Sequence, residues 1–450
     1  MITRKRVADI IDAAVTYGAR RTSGVEVSVT DSDEFTARFA NSGMTQHVQS
    51  GGASVSIRVL TAGRQARVTT DDTTLRGIHR AVDRAAELAK QLPVDKLLLP
   101  LSAPGPRTQL IVPLRRFDSR VPELALDARE TAVKSIIKIA SANRLSAAGI
   151  YSVSHELAAY GNSKGIFHFD RTSDVECSIT MTGRNSSGWA KRNGFSLDMV
   201  DPKELAEIAA GKAVASKSPQ PVRPGLWTVI LEPSAVLDLL SFVWGEFTGT
   251  AHVDRTSSFT DQIGEKVLGD NITISDDVYH QLQAGYTFDD EGLARKAVTL
   301  VKNGVIGKPV MGRRTAKALK FAPTGHGVSQ PSSFDEEAVN IVVAGGDASA
   351  DDMIASTERG ILLTRVWYVR DVDPNTNLLT GMTRDGTFLI DGGRIKHGIR
   401  NMRFNISVLE MLNNVEQLGQ AVFASGEEGS PAVVPPMKVR NFRFSSRTKF

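Results

Sequence analysis

Glu232-Pro233-Ser234-Ala235-Val236-Leu237-Asp238-Leu239-Leu240-Ser241-Phe242-Val243-Trp244-Gly245 begins a run, ending at Gly327, in which a helix, an acidic turn and glycine-rich turns follow one another. Pro233 suits a first helical turn, where N–H groups have no intrahelical partner and the ring presets φ. Val236, Leu239, Leu240 and Val243 then recur at i, i+3, i+4 and i+7, one apolar stripe for a core. Arg255-Thr256-Ser257-Ser258-Phe259 and Gln262-Ile263-Gly264-Glu265-Lys266-Val267 read as an irregular link into a strand over Asn271–Ser275. Beyond it stand Phe288-Asp289-Asp290-Glu291-Gly292, Lys302-Asn303-Gly304-Val305-Ile306 and Pro323-Thr324-Gly325-His326-Gly327.

On either side of this run the pattern is mixed. Downstream it is mostly strand-like, at Ala338–Val343, Leu363–Val369 and Thr387–Ile390, with short helices expected at Ala350–Arg359 and Ile406–Asn413. Upstream, Ser216-Lys217-Ser218-Pro219-Gln220-Pro221-Val222-Arg223-Pro224-Gly225 reads as an extended linker, because three prolines in ten residues exclude helix. Before the linker, helices are predicted at Thr3–Tyr17, Leu75–Ala85, Pro122–Asn143 and Pro202–Ser216. Strands are predicted at Gly24–Thr30, Glu34–Ala40, Met44–Gln49, Ala53–Leu60 and Arg64–Thr69, separated by Asn, Ser and Gly turn signals. Asn41-Ser42 and Asn162-Ser163 each precede, by a similar interval, a strand written Val55-Ser56-Ile57 or Cys177-Ser178-Ile179. This reads as an internal duplication of a helix-plus-hairpin module; the plainer reading is that Asn, Ser and Gly make turns everywhere. The fold class is α+β, a layered N-terminal half joined to a mainly antiparallel C-terminal domain. The expected divisions are 1–113, 114–215, the linker 216–225, and 226–450.

Hydrophobic content of 41% and charged content of 23% describe a globular protein. Fifty-four basic residues against 50 acidic give +4, too little at this size to imply nucleic acid as the partner. The single cysteine, Cys177, rules out an intramolecular disulfide framework and suits a reducing compartment. Met1-Ile2-Thr3-Arg4-Lys5-Arg6 is basic without an apolar run, and no stretch approaches the ~18 apolar residues of a membrane span, so a cytoplasmic location is expected.

The ordered segments from Thr256-Ser257-Ser258-Phe259 to Gly327 resemble the C-terminal domain of the TldD/PmbA family, also called modulators of DNA gyrase. In the N-terminal half the resemblance rests on Ser54–Leu60 and Asn162–Gly165. The resemblance implies a division by subunit. TldD-like members hold a zinc with a His-Glu-x-x-x-His helix and a later cysteine; PmbA- or TldE-like members lack that set and pair with a TldD-like chain. Aligned through Thr-Ser-x-Phe and Ile-Gly-Glu, the metal helix falls on Leu240–Gly245. Leu240 and Gly245 stand where the histidines would be and Ser241 where the glutamate would be, while Cys177 lies far upstream. The resemblance therefore implies a PmbA/TldE-like subunit that binds no cofactor, with zinc on a TldD-like partner in a heterodimer, or alternatively a homodimer. Its expected substrate is unfolded or small peptide. The rival expectations are an independent homodimeric peptidase or hydrolase using unrecognised residues, and a DNA- or gyrase-associated binding protein.

Other residues carry side chains with the chemistry of a site. His252 with Glu246 and Asp254 could form a metal cluster, but positions six apart on a helix face different sides. Asp289, Asp290 and Glu291 offer paired carboxylates, against the plainer reading of a solvated turn with Gly292 at positive φ. Thr324 and Gly325 sit in a turn without the Lys-Ser/Thr and following helix of a P-loop. The resemblance puts both groups near a peptide groove or in an assembly role. Ser241 and Ser258 have no base at a meaningful spacing.

Overall fold

The computed structural model describes residues 1–104, 114 and 116–448. In the N-terminal half the elements are α1 (Arg4–Ala19), β1 (Gly24–Ala40), β2 (Gly43–Thr61), β3 (Arg64–Thr70), α2 (Leu75–Gln91), α3 (Arg120–Glu123), α4 (Leu126–Ala142), β4 (Ser146–Asn162), β5 (Phe167–Thr182), β6 (Ser187–Gly194) and α5 (Pro202–Ala215). All six strands join one antiparallel sheet in the order β3-β2-β1-β4-β5-β6. The first half of the sheet therefore comes from α1, three sequential strands and α2, and the second from α3 and α4, three sequential strands and α5. Asn41-Ser42 follows the first strand of its unit and Asn162-Ser163 spans the end of the first strand of the other, and Val55–Ile57 and Cys177–Ile179 both lie in the second.

The alternation of β1 fixes what covers the sheet. Val25, Val27 and Val29 pack with α1 and α2, whereas Phe35, Ala37 and Phe39, on the same face, pack with α4 and α5. Thr3 starts α1 by accepting the N–H of Arg6 on its hydroxyl, and Val7, Ile10, Ile11 and Ala14 form its buried stripe. The opposite face of β1 carries Glu26, which is buried.

Two expectations change. Gly24–Thr30 and Glu34–Ala40 are one strand, as are Met44–Gln49 and Ala53–Leu60. Asp31-Ser32-Asp33 lies directly opposite Gly51-Gly52-Ala53, so the turn-forming residues face each other inside a continuous ladder. A Cβ on Gly51 would lie 2.2 Å from Ser32 O, so the glycine permits close pairing there rather than a turn. The helix expected over Pro122–Asn143 is also interrupted, as α3 and α4.

Past an extended Pro219–Pro224 segment lie β7 (Gly225–Leu231), α6 (Pro233–Leu240), a 3₁₀ segment (Ser241–Phe247), α7 (Gly249–Val253), β8 (Ile274–Asp276), β9 (Val298–Lys302), β10 (Val305–Ile306), α8 (Arg313–Leu319), β11 (Ile341–Val343), α9 (Ala350–Ala355), β12 (Arg359–Asp373), β13 (Leu378–Asp391), β14 (Arg394–Gly398), β15 (Met402–Ser407), α10 (Val408–Asn413), β16 (Val415–Leu418), β17 (Val422–Ala424), β18 (Ala432–Val434) and β19 (Met437–Arg447). Strands β12, β7, β19, β15 and β13 pair in that order, and β13 pairs back to β12, which closes a five-membered ring. A second sheet runs β10-β9-β8-β11-β18-β17. Pairing is antiparallel except for β12 with β7 and β11 with β18. The apolar stripe of α6 joins Trp227, Leu363, Phe404 and Phe442 in the largest core, between ring and second sheet. The fold is α+β. Among the described residues no helix is long and apolar enough to cross a membrane.

Candidate functional site

Phe288 carries the C-terminal domain onto the face of the N-terminal sheet that the helices leave free. Its ring packs with Ala158, Tyr160 and Ile166, and the His168 ring stacks on it at 5.2 Å. Nearby, the Tyr286 hydroxyl donates to Glu156 at 2.6 Å and Arg67 Nε donates to Gln330 O at 2.6 Å, each joining the two halves. Gly292 has φ +78°, of the positive sign expected from the sequence, and a Cβ there would lie 2.3 Å from the Tyr160 ring.

The turn that follows Phe288 is not solvated. Asp289 is 1% exposed and Glu291 9%, and only Asp290 faces water. Asp289 accepts the N–H groups of Glu291, Leu293 and Gly327 at 3.0, 2.7 and 2.8 Å. Glu291 accepts the N–H of Arg313 at 2.9 Å, with the Arg313 guanidinium 4.0 Å away. Burial raises Asp289 to about 6 against the pull of those N–H groups and of Arg295. Burial, then the Asp289 charge, pushes Glu291 up to about 8. With three N–H donors on Asp289 and one on Glu291, the charge of the pair belongs on Asp289 and the proton on Glu291. Glu26 lies on the sheet side of this region, held by Arg58 at 3.1 Å, Arg67 at 2.6 Å and the Tyr160 hydroxyl at 3.1 Å.

The second predicted turn joins the first. Gly327 donates to Asp289, and Asp290 N donates back to Gly327 O at 3.1 Å. Gly325 has φ +74°, and a Cβ on it would meet Ala294 O at 2.2 Å, so only glycine fits. Thr324 accepts the N–H of Met311 and donates to its carbonyl, at 2.7 and 3.0 Å. His326 places Nδ1 2.9 Å from the Thr324 hydroxyl and Nε2 2.9 Å from Asp276. Burial pushes the Asp276 carboxyl up, but the hydrogen bond and electrostatic pull of His326, then Arg295 and the Asn340 N–H, outweigh it and the net shift is downward. Hydroxyl, imidazole and carboxylate follow the order of a catalytic triad. The Thr324 hydroxyl, however, is buried and doubly tied to Met311, which leaves it no route to a substrate carbonyl. The chain Asp276–His326–Thr324 fastens β8 to the Pro323–Gly327 turn.

The α6 end is differently built. Leu240 is fully buried in the core, the Ser241 hydroxyl donates to Asp238 O at 3.2 Å, and Gly245 is exposed. Asp238, fully buried, accepts the N–H groups of Glu427, Glu428 and Gly429 at 2.8, 2.8 and 3.3 Å and so clamps the 425–429 loop onto α6. Burial raises its carboxyl to about 6. Glu246 is spent on the N–H of Ser258 at 2.5 Å, and the Ser258 hydroxyl accepts from Asn377 at 2.8 Å. His252 is buried, which lowers its pKa. Gly249 begins α7. Cys177 lies buried in β5, with its thiol pushed up by burial.

Three models of one family match the chain in order: PmbA/TldA metallopeptidase domain 1 over residues 25–89, the central domain over 113–217 and the C-terminal domain over 224–446. The chain belongs to the PmbA/TldD family. It is 22% identical to the metalloprotease PmbA of Escherichia coli O157:H7 over 97% of this chain and 96% of that one. A metalloprotease TldD homolog of Buchnera aphidicola is 28% identical over 58% of this chain and 57% of its own. Among solved structures, TldE from Thermococcus kodakarensis matches with a TM-score of 0.88 at 21% identity, covering 98% of this chain and 99% of that one.

As a PmbA/TldD member the chain is a peptidase-family protein. A buried leucine, a committed hydroxyl and a glycine supply no nitrogen, sulfur or carboxylate donor. Among the described residues no three His, Cys, Asp or Glu side chains converge as a ligand set. Sequence reading found Asp289, Glu291, Thr324 and Gly325, which the structure brings together. It missed Asp276, Glu336 and Asp238. Glu336, 2% exposed, accepts from Thr250 N at 2.6 Å and Gly312 N at 2.7 Å. These three acids bind backbone N–H groups 24 to 191 positions away, and no local spacing signals that.

Proposed function

We propose that this chain is the metal-free subunit of a TldD–TldE-type metallopeptidase assembly that degrades or trims unfolded and small peptides in the cytoplasm. The zinc sits on a TldD-like partner, and this chain supplies cavity wall and peptide-contacting surface. The observation that carries the reading is the Leu240–Gly245 segment, which offers no ligand in a chain matched by peptidase models from residue 25 to 446. A catalytic zinc takes about three protein donors and an open position. In this reading the Asp289–Gly292 and Thr324–Gly327 turns serve assembly, seating the catalytically silent C-terminal domain on the N-terminal sheet.

Elemental analysis of the purified chain is expected to find no stoichiometric zinc. Cleavage of a disordered peptide should appear only on mixing with a TldD-like chain and should be lost with chelator. Tightly held zinc at about one per chain, or cleavage by the isolated chain, would overturn the reading.

A further inference from the structure

A cleft of about 920 Å³ opens where three parts of the chain meet: the β5–β6 turn, the linker, and the β12–β13 hairpin with the segment after β14. That volume lies at the upper end of the roughly 300–1,000 Å³ of ligand pockets. Its charge is one-sided. Arg184, Arg384 and Arg400 line it, and Asp385 is the one acid among the lining residues. The Asp385 carboxylate is already taken, by the buried Arg365 and by Arg384 at 3.3 Å. The exposed guanidinium groups of Arg184 and Arg400 make no hydrogen bond or ion pair among the described residues. Ser186 Oγ, also in the lining, is buried without a partner. The β5–β6 turn that carries Arg184 is held in place by the Gly183 N to Ser186 O bond at 2.8 Å and by Asn185 against Ser218 at 3.4 Å.

We propose that this cleft binds an acidic peptide segment. Free guanidinium groups contributed by two different parts of the chain, the β5–β6 turn and the segment after β14, suit successive carboxylates, which arginine holds in bidentate fashion. The flanking hydroxyls of Thr180, Thr182 and Ser187 suit a polar main chain. Single-stranded nucleic acid fits less well, since bases need free aromatic faces. Trp367 is the one aromatic in the lining, and Arg384 already covers it at 3.9 Å from the ring centroid. The proposal stands apart from the metal-free subunit reading, because its test uses the isolated chain without zinc or proteolysis.

The test is fluorescence anisotropy of the full chain with fluorescein-labelled hexaglutamate, against hexalysine, a Gly-Ser hexamer and a thymidine decanucleotide. Saturable binding of hexaglutamate is expected, with neither the Gly-Ser hexamer nor hexalysine bound. The paired substitution Arg184→Ala/Arg400→Ala should weaken it at least tenfold while leaving the melting temperature unchanged, since both side chains are exposed. A Lys pair at the same positions should retain part of the affinity. Unchanged affinity in the Ala pair, or no saturable binding, overturns the proposal. Tighter binding of the decanucleotide, lost with the same arginines, would also overturn it and assign the cleft to nucleic acid.

Discussion

Glu291→Gln removes a proton-dependent penalty while keeping the shape and the acceptor that the Arg313 N–H uses. The folded chain raises Glu291 to about 8, above its ordinary value of 4.5. Between those values the folded state binds more protons than the unfolded one, so this group's contribution to stability falls as pH rises. The loss is about 1.4 kcal/mol per pH unit, beginning near pH 4.5 and complete above about pH 8. By pH 7 it amounts to about 3 kcal/mol, and by pH 5 to under 1 kcal/mol. The glutamine variant pays none of it, and is expected to be more stable than the parent by those amounts. Unfolding entropy of ~2.1 cal/mol/K per residue makes 3 kcal/mol worth about 3 °C in Tm for a chain this long melting as one unit. Scanning calorimetry at pH 5, 6, 7 and 8 measures the difference directly. A variant whose Tm tracks the parent in parallel across that range, or lies below it at pH 7, would refute the assignment of the proton to Glu291.

Gly325→Ala forces a Cβ into Ala294 O and a left-handed φ on alanine, so a loss of at least about 2 kcal/mol is expected; an unchanged Tm would show that this turn can relax. Asp238→Ala leaves three N–H groups of the 427–429 loop without their acceptor, at ~1–3 kcal/mol for each that stays dry. Limited proteolysis should then cut near Glu427–Gly429, and resistance equal to the parent's would count against the clamp. Phe288→Ala empties the contact with Tyr160 and His168 and should cost about 3–5 kcal/mol, read as earlier urea unfolding. A cost under ~1 kcal/mol would mean that the two halves are held elsewhere.

What could be read in advance was what neighbouring residues decide. Val7, Ile10, Ile11 and Ala14 mark α1 because a helix repeats every 3.6 residues, and Pro233 marks the start of α6 because the ring suits a first turn. Strand length escaped the same reading. Asp31-Ser32-Asp33 and Ser50-Gly51-Gly52 have turn chemistry, yet the pairing of β1 with β2 and β4 carries both through as extended chain. Ring closure by β12 with β13 escaped it too, since no local pattern encodes which strands return to one another. The acidic turn shows the same division most sharply. Asp289, Asp290 and Glu291 were visible as a cluster, and a cluster of acids next to glycine ordinarily means water. What reverses that meaning is remote: Gly327 and Arg313 supply N–H groups, and Tyr160 and His168 cover the turn from the other half of the chain. Two adjacent carboxyls can be buried so only when one keeps its proton, and Asp289 takes the three N–H donors while Glu291 takes one. The unequal sharing of donors assigns the charge to Asp289, and it ties the seating of one half on the other to a proton on Glu291.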